Sequence, residues 1–452
     1  MIRLVAVRQS PPVMLAAVLT CLCAATVLAQ TPDQSPQSTI PRTLADTATD
    51  SLLVRLRRAE EAIALLQQQL AAQAASATQT ESRSRFDIGG RVLMNTFYNT
   101  WRVNNADVPQ FARPDTNVAG RLLHGGLGAG LRQSTLRGTA FVPQVVGADF
   151  NGDIEVDFYG GQQASPGGRN FPLLRIRTAR GALRWPWAEV MIGQDNPLVA
   201  PVEPVSVAAV GVPEFGTAGN LWLWLPQLRL TIEHADSGLR AGVQLAVLAP
   251  TNGDAAGLFD TGVDQAERSR RPYLEARARV RWGPEDTGGE IGFGVHRGWL
   301  AAANNDTLIG TDALVASAIV PFHFIELRGE AFTGKALRGL GGGGIAQSVN
   351  ARGEPVRTKG VWAQLNLRVA SLVTLVGGCG ADTPNRADLP TPTPAAVAAT
   401  RLRNAVCEGH IVARPDGPIV LGFTTRRTWT TYAPPIYSKA NQHFNLTVGY
   451  AF

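Results

Sequence analysis

His443-Phe444-Asn445-Leu446-Thr447-Val448-Gly449-Tyr450-Ala451-Phe452, the last ten residues of the chain, alternate between two kinds of side chain. Successive side chains of an extended strand point to opposite faces, so Phe444, Leu446, Val448, Tyr450 and Phe452 share one face, and His443, Asn445, Thr447 and Gly449 share the other. A strand with one greasy and one polar side has two homes. In a soluble sandwich the apolar face meets a dry core and the polar face meets bulk water. In a transmembrane barrel the apolar face meets lipid and the polar face encloses a wet lumen. The terminal Phe452, after a run of alternating aromatic and aliphatic residues, favours the barrel.

The same period-two pattern recurs upstream. Leu228, Leu230 and Ile232 alternate with Gln227, Arg229, Thr231 and Glu233; Leu274, Ala276, Ala278 and Val280 with Glu275, Arg277, Arg279 and Arg281; Ala363, Leu365 and Leu367 with Gln364, Asn366 and Arg368; and Ile154, Val156 and Phe158 with Asp153, Glu155 and Asp157. The connections between such segments alternate long and short. Walking back from Phe452, 431–441 is long, 414–417 short, 380–403 long, 370–371 short, 335–359 long and 321–322 short. The rhythm continues with long connections near 251–271, 196–224 and 103–130 and short ones at 235–238 and 143–147. This is the loop asymmetry of a membrane barrel, and it predicts an all-β fold: a transmembrane antiparallel β-barrel of about sixteen strands over 83–452, with both chain ends on the short-turn side.

Composition agrees. Of 452 residues 45% are hydrophobic and only 17% charged, with 47 glycines, yet no stretch of the mature chain is apolar enough to span a membrane as a helix. Residues 1–29 have the layout of a secretory signal peptide: Arg3 and Arg8, an apolar run from Val13 to Leu28, and Val27-Leu28-Ala29 as the cleavage site. An uncleaved anchor is the alternative, but the run is short for a span and no stop-transfer charges follow. Neither Cys21 nor Cys23 is preceded by the small residue that a lipid-attachment site wants. Residues 30–50, rich in Pro, Thr, Ser and Gln, read as a flexible linker. In 51–77, Leu56, Ile63 and Leu70 recur every seven residues with Leu52, Ala59 and Leu66 in the companion positions, which predicts a short periplasmic α-helical coiled coil; a lone amphipathic helix on the barrel mouth is the alternative. Losing Arg3 and Arg8 with the signal takes the formal charge from +6 to +4, and no Lys/Arg block of a nucleic-acid arm is present.

Several stretches together resemble the DcaP-type trimeric porins of Gram-negative outer membranes. They are the heptad segment from Leu52 to Leu70, Phe86-Asp87-Ile88-Gly89-Gly90, Gly193-Gln194-Asp195 before a Pro-rich loop, Gly219-Asn220-Leu221-Trp222 followed by Pro226-Gln227-Leu228-Arg229, and the closing residues 448–452. The resemblance is spread over most of the chain from residue 51. It implies a homotrimer in the outer membrane, in contact with its lipid and inserted by the barrel-assembly machinery through Phe452. It also implies passive diffusion of small anionic, dicarboxylate-like solutes, with no cofactor.

If the apolar faces meet lipid, the lumen receives Arg175, Arg177, Arg229, Arg277, Arg279, Arg281, Arg328 and Arg368, together with Asp153, Glu155, Asp157, Glu233, Glu275, Glu290, Glu326 and Glu330. An Arg ladder facing carboxylates sets up a transverse field that draws anions to one wall. The plainer reading is that these charges pair across strands and stiffen the wall. The connection 196–224 carries Val199, Val202, Val205, Val207, Val210, Val212 and Phe215, with Pro at 197, 201, 204 and 213, and is too apolar for a free surface loop. It folds into the pore or makes a subunit contact. Cys379 and Cys407, the only thiols left after signal removal, bracket an Ala/Pro/Thr-rich outer loop and are disulfide candidates, free thiols being the alternative. The six His residues lack metal-ligand spacing, and neither a phosphate loop nor a nucleophile elbow is present, so no metal site or enzyme is expected. A hydrolase using His443 and a non-conducting barrel serving as envelope anchor or adhesin are the rival functions.

Overall fold

The computed structural model describes residues 60–65, 67–68 and 84–452, except 116, 119–120, 123–124, 161–171, 253–261, 285–286, 303–306, 390–396, 398 and 416. The signal peptide, the linker and most of the heptad positions therefore lie outside the described residues. The chain divides into two units, 1–74 and 75–452. In the first, 60–65 and 67–68 are helical, and Ile63, one of the expected seam residues, is exposed.

Beside a separate two-stranded piece that pairs 117–118 with 121–122, the second unit is built on one closed antiparallel sheet. Its strands are β1 (Arg85–Asn99), β2 (in two pieces, Gly126–Gly130 and Thr135–Val145), β3 (Ala148–Gly160), β4 (Leu173–Arg184), β5 (Ala188–Asp195), β6 (Leu225–Asp236), β7 (Leu239–Leu248), β8 (Tyr273–Trp282), β9 (Gly289–Ala301), β10 (Leu308–Phe322), β11 (Ile325–Lys335), β12 (Arg357–Ala370), β13 (Val373–Pro384), β14 (Arg401–Ala413), β15 (Ile419–Tyr432) and β16 (Ser438–Ala451). The two pieces of β2 pair with the two halves of β1, so they count as one strand and the barrel has sixteen. Each strand pairs with its neighbours in sequence. β16 closes the ring on β1, from Arg91 opposite Ala451 to Asn99 opposite His443.

Closure is what makes such a sheet tenable in hydrocarbon, because an open edge would leave a row of peptide groups without partners. The seam extends to the last residue: Phe452 donates its N–H to the Gly90 carbonyl and accepts from the Gly90 N–H, both at 3.0 Å. The alternating pattern then sorts itself. Leu228, Leu230, Ile232, Val243, Leu245, Val247, Leu446 and Val448 stand exposed on the outer face, while Gln227, Thr231, Gln244, Asn445 and Thr447 are buried on the inner face. Exposed aromatics gather at the rims, with Trp187, Phe322, Phe324, Tyr450 and Phe452 at one end and Tyr98, Trp429 and Tyr437 at the other. The connection of β15 to β16, expected to be long at 431–441, is only 433–437, because both strands run further than their polarity suggests.

Cys379 and Cys407 face one another directly across β13 and β14, with their sulfurs joined at 2.12 Å. They do not sit at the base of the outer loop as expected. β13 continues to Pro384 and β14 begins at Arg401, so the bridge lies within the strand pair. Val376 and Asp382 of β13 and Val406, Glu408 and His410 of β14 are buried on the inner side, so the cystine is on the outer face. Closing a loop of 28 residues removes about 3.6 kcal/mol of unfolded-chain entropy. Unreduced protein should take up no maleimide at either position, and reduction should lower by several degrees the temperature at which the barrel loses its compact migration in SDS.

Candidate functional site

The connection 196–224 between β5 and β6 folds into the barrel. Most of its apolar side chains are buried within a single chain: Leu198, Val199, Val202, Val207, Val210, Phe215, Ala218 and Leu221 are each no more than 5% exposed, while Val205 is 37% exposed. Inward-facing polar side chains from far-apart strands satisfy its backbone. Glu275 of β8 accepts from the Val199 N–H (3.2 Å), and Glu330 of β11 accepts from the Val202 N–H (3.1 Å). Gln364 of β12 holds both the N–H and the carbonyl of Val205, at 2.8 and 3.1 Å. Gln133, at the break in β2, accepts from the N–H groups of Val210 and Gly211 at 2.8 and 2.7 Å, and Asn95 of β1 donates to the Val207 carbonyl at 3.2 Å. Asn404 of β14 donates to the Thr217 carbonyl at 3.0 Å.

Glycines in the inner wall make room for this loop. A Cβ on Gly294 would lie 2.9 Å from Val199 Cγ1, one on Gly380 would lie 2.2 Å from the Ala218 carbonyl oxygen, and one on Gly422 would lie 2.6 Å from Val207 Cγ2. Burying each large aliphatic side chain contributes about 1.5–3 kcal/mol, so the loop is a packed part of the wall rather than a free flap.

A buried charge network fixes the loop further along. Glu214 of the loop pairs with Arg426 of β15, which also lies 3.5 Å from Glu408, and His410 is 3.2 Å from Glu408. Ligand atoms of Glu214, Glu408 and His410 lie within 4.8 Å of one another, but Arg426 already engages both carboxylates. The quartet is therefore an ion-pair network that holds the loop, not a cation site. Buried charges are tolerated when paired in this way. His443, the expected centre of a hydrolase, is buried against Asn99 (3.0 Å from its Oδ1) and stacked on Phe97.

The loop covers the inner face of one side of the barrel. Gln364, Asn404, Thr424, Thr428, Asn441 and Thr447 are fully enclosed there. From β3 to β8 the charges are mixed: Asp157, Arg177, Asp195, Glu275 and Arg277 are buried, while Arg175, Arg180, Arg240 and Arg281 are partly exposed. A register shift opposite Glu155 inserts Arg177 as an extra residue in β4, so that Arg175, Arg177 and Arg180 all reach inward. Arg175 pairs with Asp157 at 2.6 Å, Arg177 with Glu155, and Arg180 with Asp153 (2.8 Å) and Asp195 (3.3 Å). Arg229 joins Asp195 at 3.2 Å. Trp224, at the end of the loop, lies under the Arg175 and Arg177 guanidinium groups at 5.3 and 4.7 Å, and donates to Glu203 at 3.2 Å. Towards the short turns, Arg279 and Arg281 share Glu233, with Arg240 3.9 Å from the same carboxylate. There the wall opens into a cavity of about 260 Å³ lined by Arg184, Glu189, Arg229, Glu233, Arg279 and Arg281.

Not every residue expected along the passage reaches it. Glu275 and Glu330 face inward but are buried beneath 199–202, where they serve as loop acceptors. Arg277 is buried too, held by Glu290 (2.6 Å), Ser317 (2.8 Å) and Gln244 (3.2 Å) beside Gly292, where a Cβ would collide with it. Arg328 pairs with Glu326 on β11 and donates to the Glu203 carbonyl at 2.8 Å. Arg368 is exposed, three residues before the turn after β12. Sequence reasoning missed Arg180, Asp195, Glu203 and Arg240. Arg180 has the opposite parity to Arg175 and Arg177, so strict alternation discards it; the inserted residue restores it.

Replacing both Glu275 and Glu330 by Ala strips two buried N–H groups of their acceptors, at a cost of about 1–3 kcal/mol each. The loop should become cleavable by protease in folded protein, while Glu→Gln at the same positions should largely preserve its protection.

No protein-family model matches the chain, and no curated protein matches it in sequence. Its fold does match solved structures. The outer membrane channel DcaP of Acinetobacter baumannii superposes with a TM-score of 0.61 at 16% identity, over 83% of this chain and 100% of that one. The anion-selective porin from Comamonas acidovorans superposes with a TM-score of 0.51 at 13% identity, over 82% of this chain and 100% of that one. The chain thus has the fold of the outer-membrane porins: a closed sixteen-stranded antiparallel barrel.

Proposed function

We propose that the protein is an outer-membrane porin of a Gram-negative bacterium that passes small hydrophilic solutes, with a preference for anionic, dicarboxylate-like ones. The observation that carries the reading is the uneven filling of the barrel interior: 196–224 packs into much of it, while Arg180, Glu233, Arg240, Arg279 and Arg281 keep part of their surface open. At the short-turn end of the barrel, Arg240, Arg279 and Arg281 share two carboxylates, Glu233 and Glu290, and Glu290 is already held by the buried Arg277. The surplus is positive, and guanidinium groups suit carboxylates both in charge and in geometry. A water-filled passage with low-dielectric walls focuses that surplus on the permeating ion. That a barrel of the same fold is described as anion-selective supports the same assignment.

The wider reading includes export by the signal peptide 1–29, assembly as a homotrimer, a coiled coil in 51–77 on the periplasmic side, and recognition of the closing strand with Phe452 by the barrel-assembly machinery. A non-conducting anchor or adhesin is the competing function, and the packed part of the interior is the observation in its favour. Planar-bilayer recording separates the two. The porin should give stepwise conductance and a reversal potential of anionic sign in a salt gradient. Changing both Arg279 and Arg281 to Gln should lower the anion-to-cation permeability ratio by on the order of fivefold, as expected for removing charges that act at close range through water. A folded protein that never conducts would establish the anchor, and an unchanged reversal potential in the variant would remove these arginines from selectivity.

A further inference from the structure

The outer face of the barrel carries a second feature with its own chemistry. Arg297 of β9, Asp312 of β10, Lys335 of β11 and Arg357 of β12 stand directly opposite one another in register, forming one row across four strands close to the long-loop rim. Asp312 is shared by Arg297 (3.4 Å) and Lys335 (3.0 Å), and Arg357 is held by Asp388 at 2.6 Å. Lys359, exposed, lies on the same face two residues on from Arg357. Four cations therefore meet two carboxylates. The chain has only three lysines, at 335, 359 and 439, and two of them are here.

Immediately on the short-turn side of this row, and bordered by Lys359, lies a groove of about 740 Å³ with walls of Phe293, Leu314 and Val361 and a floor of small residues, Ala316, Ala331 and Ala381. Trp299 packs near Arg297 and Arg271 at 5.5 and 5.3 Å, and an indole among cations is typical of the level where headgroups meet acyl chains. The floor alanines share one register row with Phe293 and Val361 across five strands, and Lys359 stands in the row beside them; a shallow apolar strip directly beneath exposed lysines matches an amphiphile with a phosphate head and acyl tails. It does not match the bare hydrocarbon that the rest of the outer wall meets.

We propose that this patch binds a phosphorylated, multiply acylated glycolipid of the outer leaflet, one acyl chain lying in the Ala316/Ala331/Ala381 groove and a phosphate lying against Lys335, Lys359 and Arg297. The assignment rests on the barrel standing in an outer membrane, but not on its conducting. The phosphate makes charge-assisted hydrogen bonds that the single shared Asp312 leaves unfilled, and the groove supplies apolar contact that Leu or Ile in place of the alanines would block.

Native mass spectrometry of the full-length mature protein in detergent tests this with two probes, bisphosphorylated hexa-acyl lipid A and the same molecule with its phosphates removed. The phosphorylated form should stay bound under activation that strips the other. The double variant Lys335→Ala/Lys359→Ala should retain on the order of tenfold less of it, as expected for losing two near-surface cations. Ala331→Trp, which fills the groove, should do the same. Equal retention of both probes, or unchanged retention in the lysine variant, overturns the proposal. Loss of association between copies in Ala331→Trp also overturns it, since the groove would then be a subunit contact. Conductance of the same variants keeps the two readings apart. A silent protein that still binds lipid A removes the diffusion reading alone, and a conducting protein indifferent to phosphate removes the lipid site alone.

Discussion

Every peptide group that this sheet turns toward hydrocarbon has to find its partner within the sheet, and that requirement organises the rest of the molecule. Water would supply the missing hydrogen bonds of a soluble edge strand; lipid does not. The seam between β1 and β16, carried to the terminal Phe452 and its reciprocal bonds with Gly90, removes the last edge. Once the ring is closed, side-chain alternation is no longer a preference but a sorting rule, and charge can only go inward. A sixteen-stranded ring is also too wide for side chains alone to fill, so it encloses either water or chain.

Here it encloses both. The segment 196–224 behaves like a piece of soluble core built inside a polar cylinder: apolar side chains cluster at Leu198, Val199 and Leu221, and again at Val202, Phe215 and Ala218. Its carbonyls and N–H groups are met by Glu, Gln and Asn side chains that the strands aim inward. Wall and loop are made for one another at the level of single atoms, since glycines in β9, β13 and β15 stand where the loop comes closest. The stiffness conferred by four prolines lowers the entropy lost when the loop is fixed.

Much of the architecture could be read from the residues. Alternation in 226–234, 273–282 and 444–452 depends on nothing but which solvent each face meets, and strand count and loop order followed from it. The inward course of 196–224 was half legible, because a run of valines punctuated by proline has to be buried somewhere, but the side it would cover depends on contacts between strands hundreds of residues apart. The same long-range contacts decide that Glu275 and Glu330 end beneath the loop while Arg279 and Arg281 do not, although all four obey one parity. Arg180 was hidden for a different reason: a single inserted residue in β4 reverses the parity, and nothing local announces it. The basic row on the outer face was equally illegible, being assembled from one residue on each of four strands.

The uneven filling of the barrel separates two kinds of constraint on the sequence. Inward positions from β12 round to β1 answer to the loop that lies on them, so a change there disturbs packing first. Inward positions such as Arg180, Glu233, Arg240, Arg279 and Arg281 answer mainly to one another and to the space they face. Such a molecule can change the charge of its open positions by exchanging a few arginines and carboxylates while the packed positions go on bearing the fold.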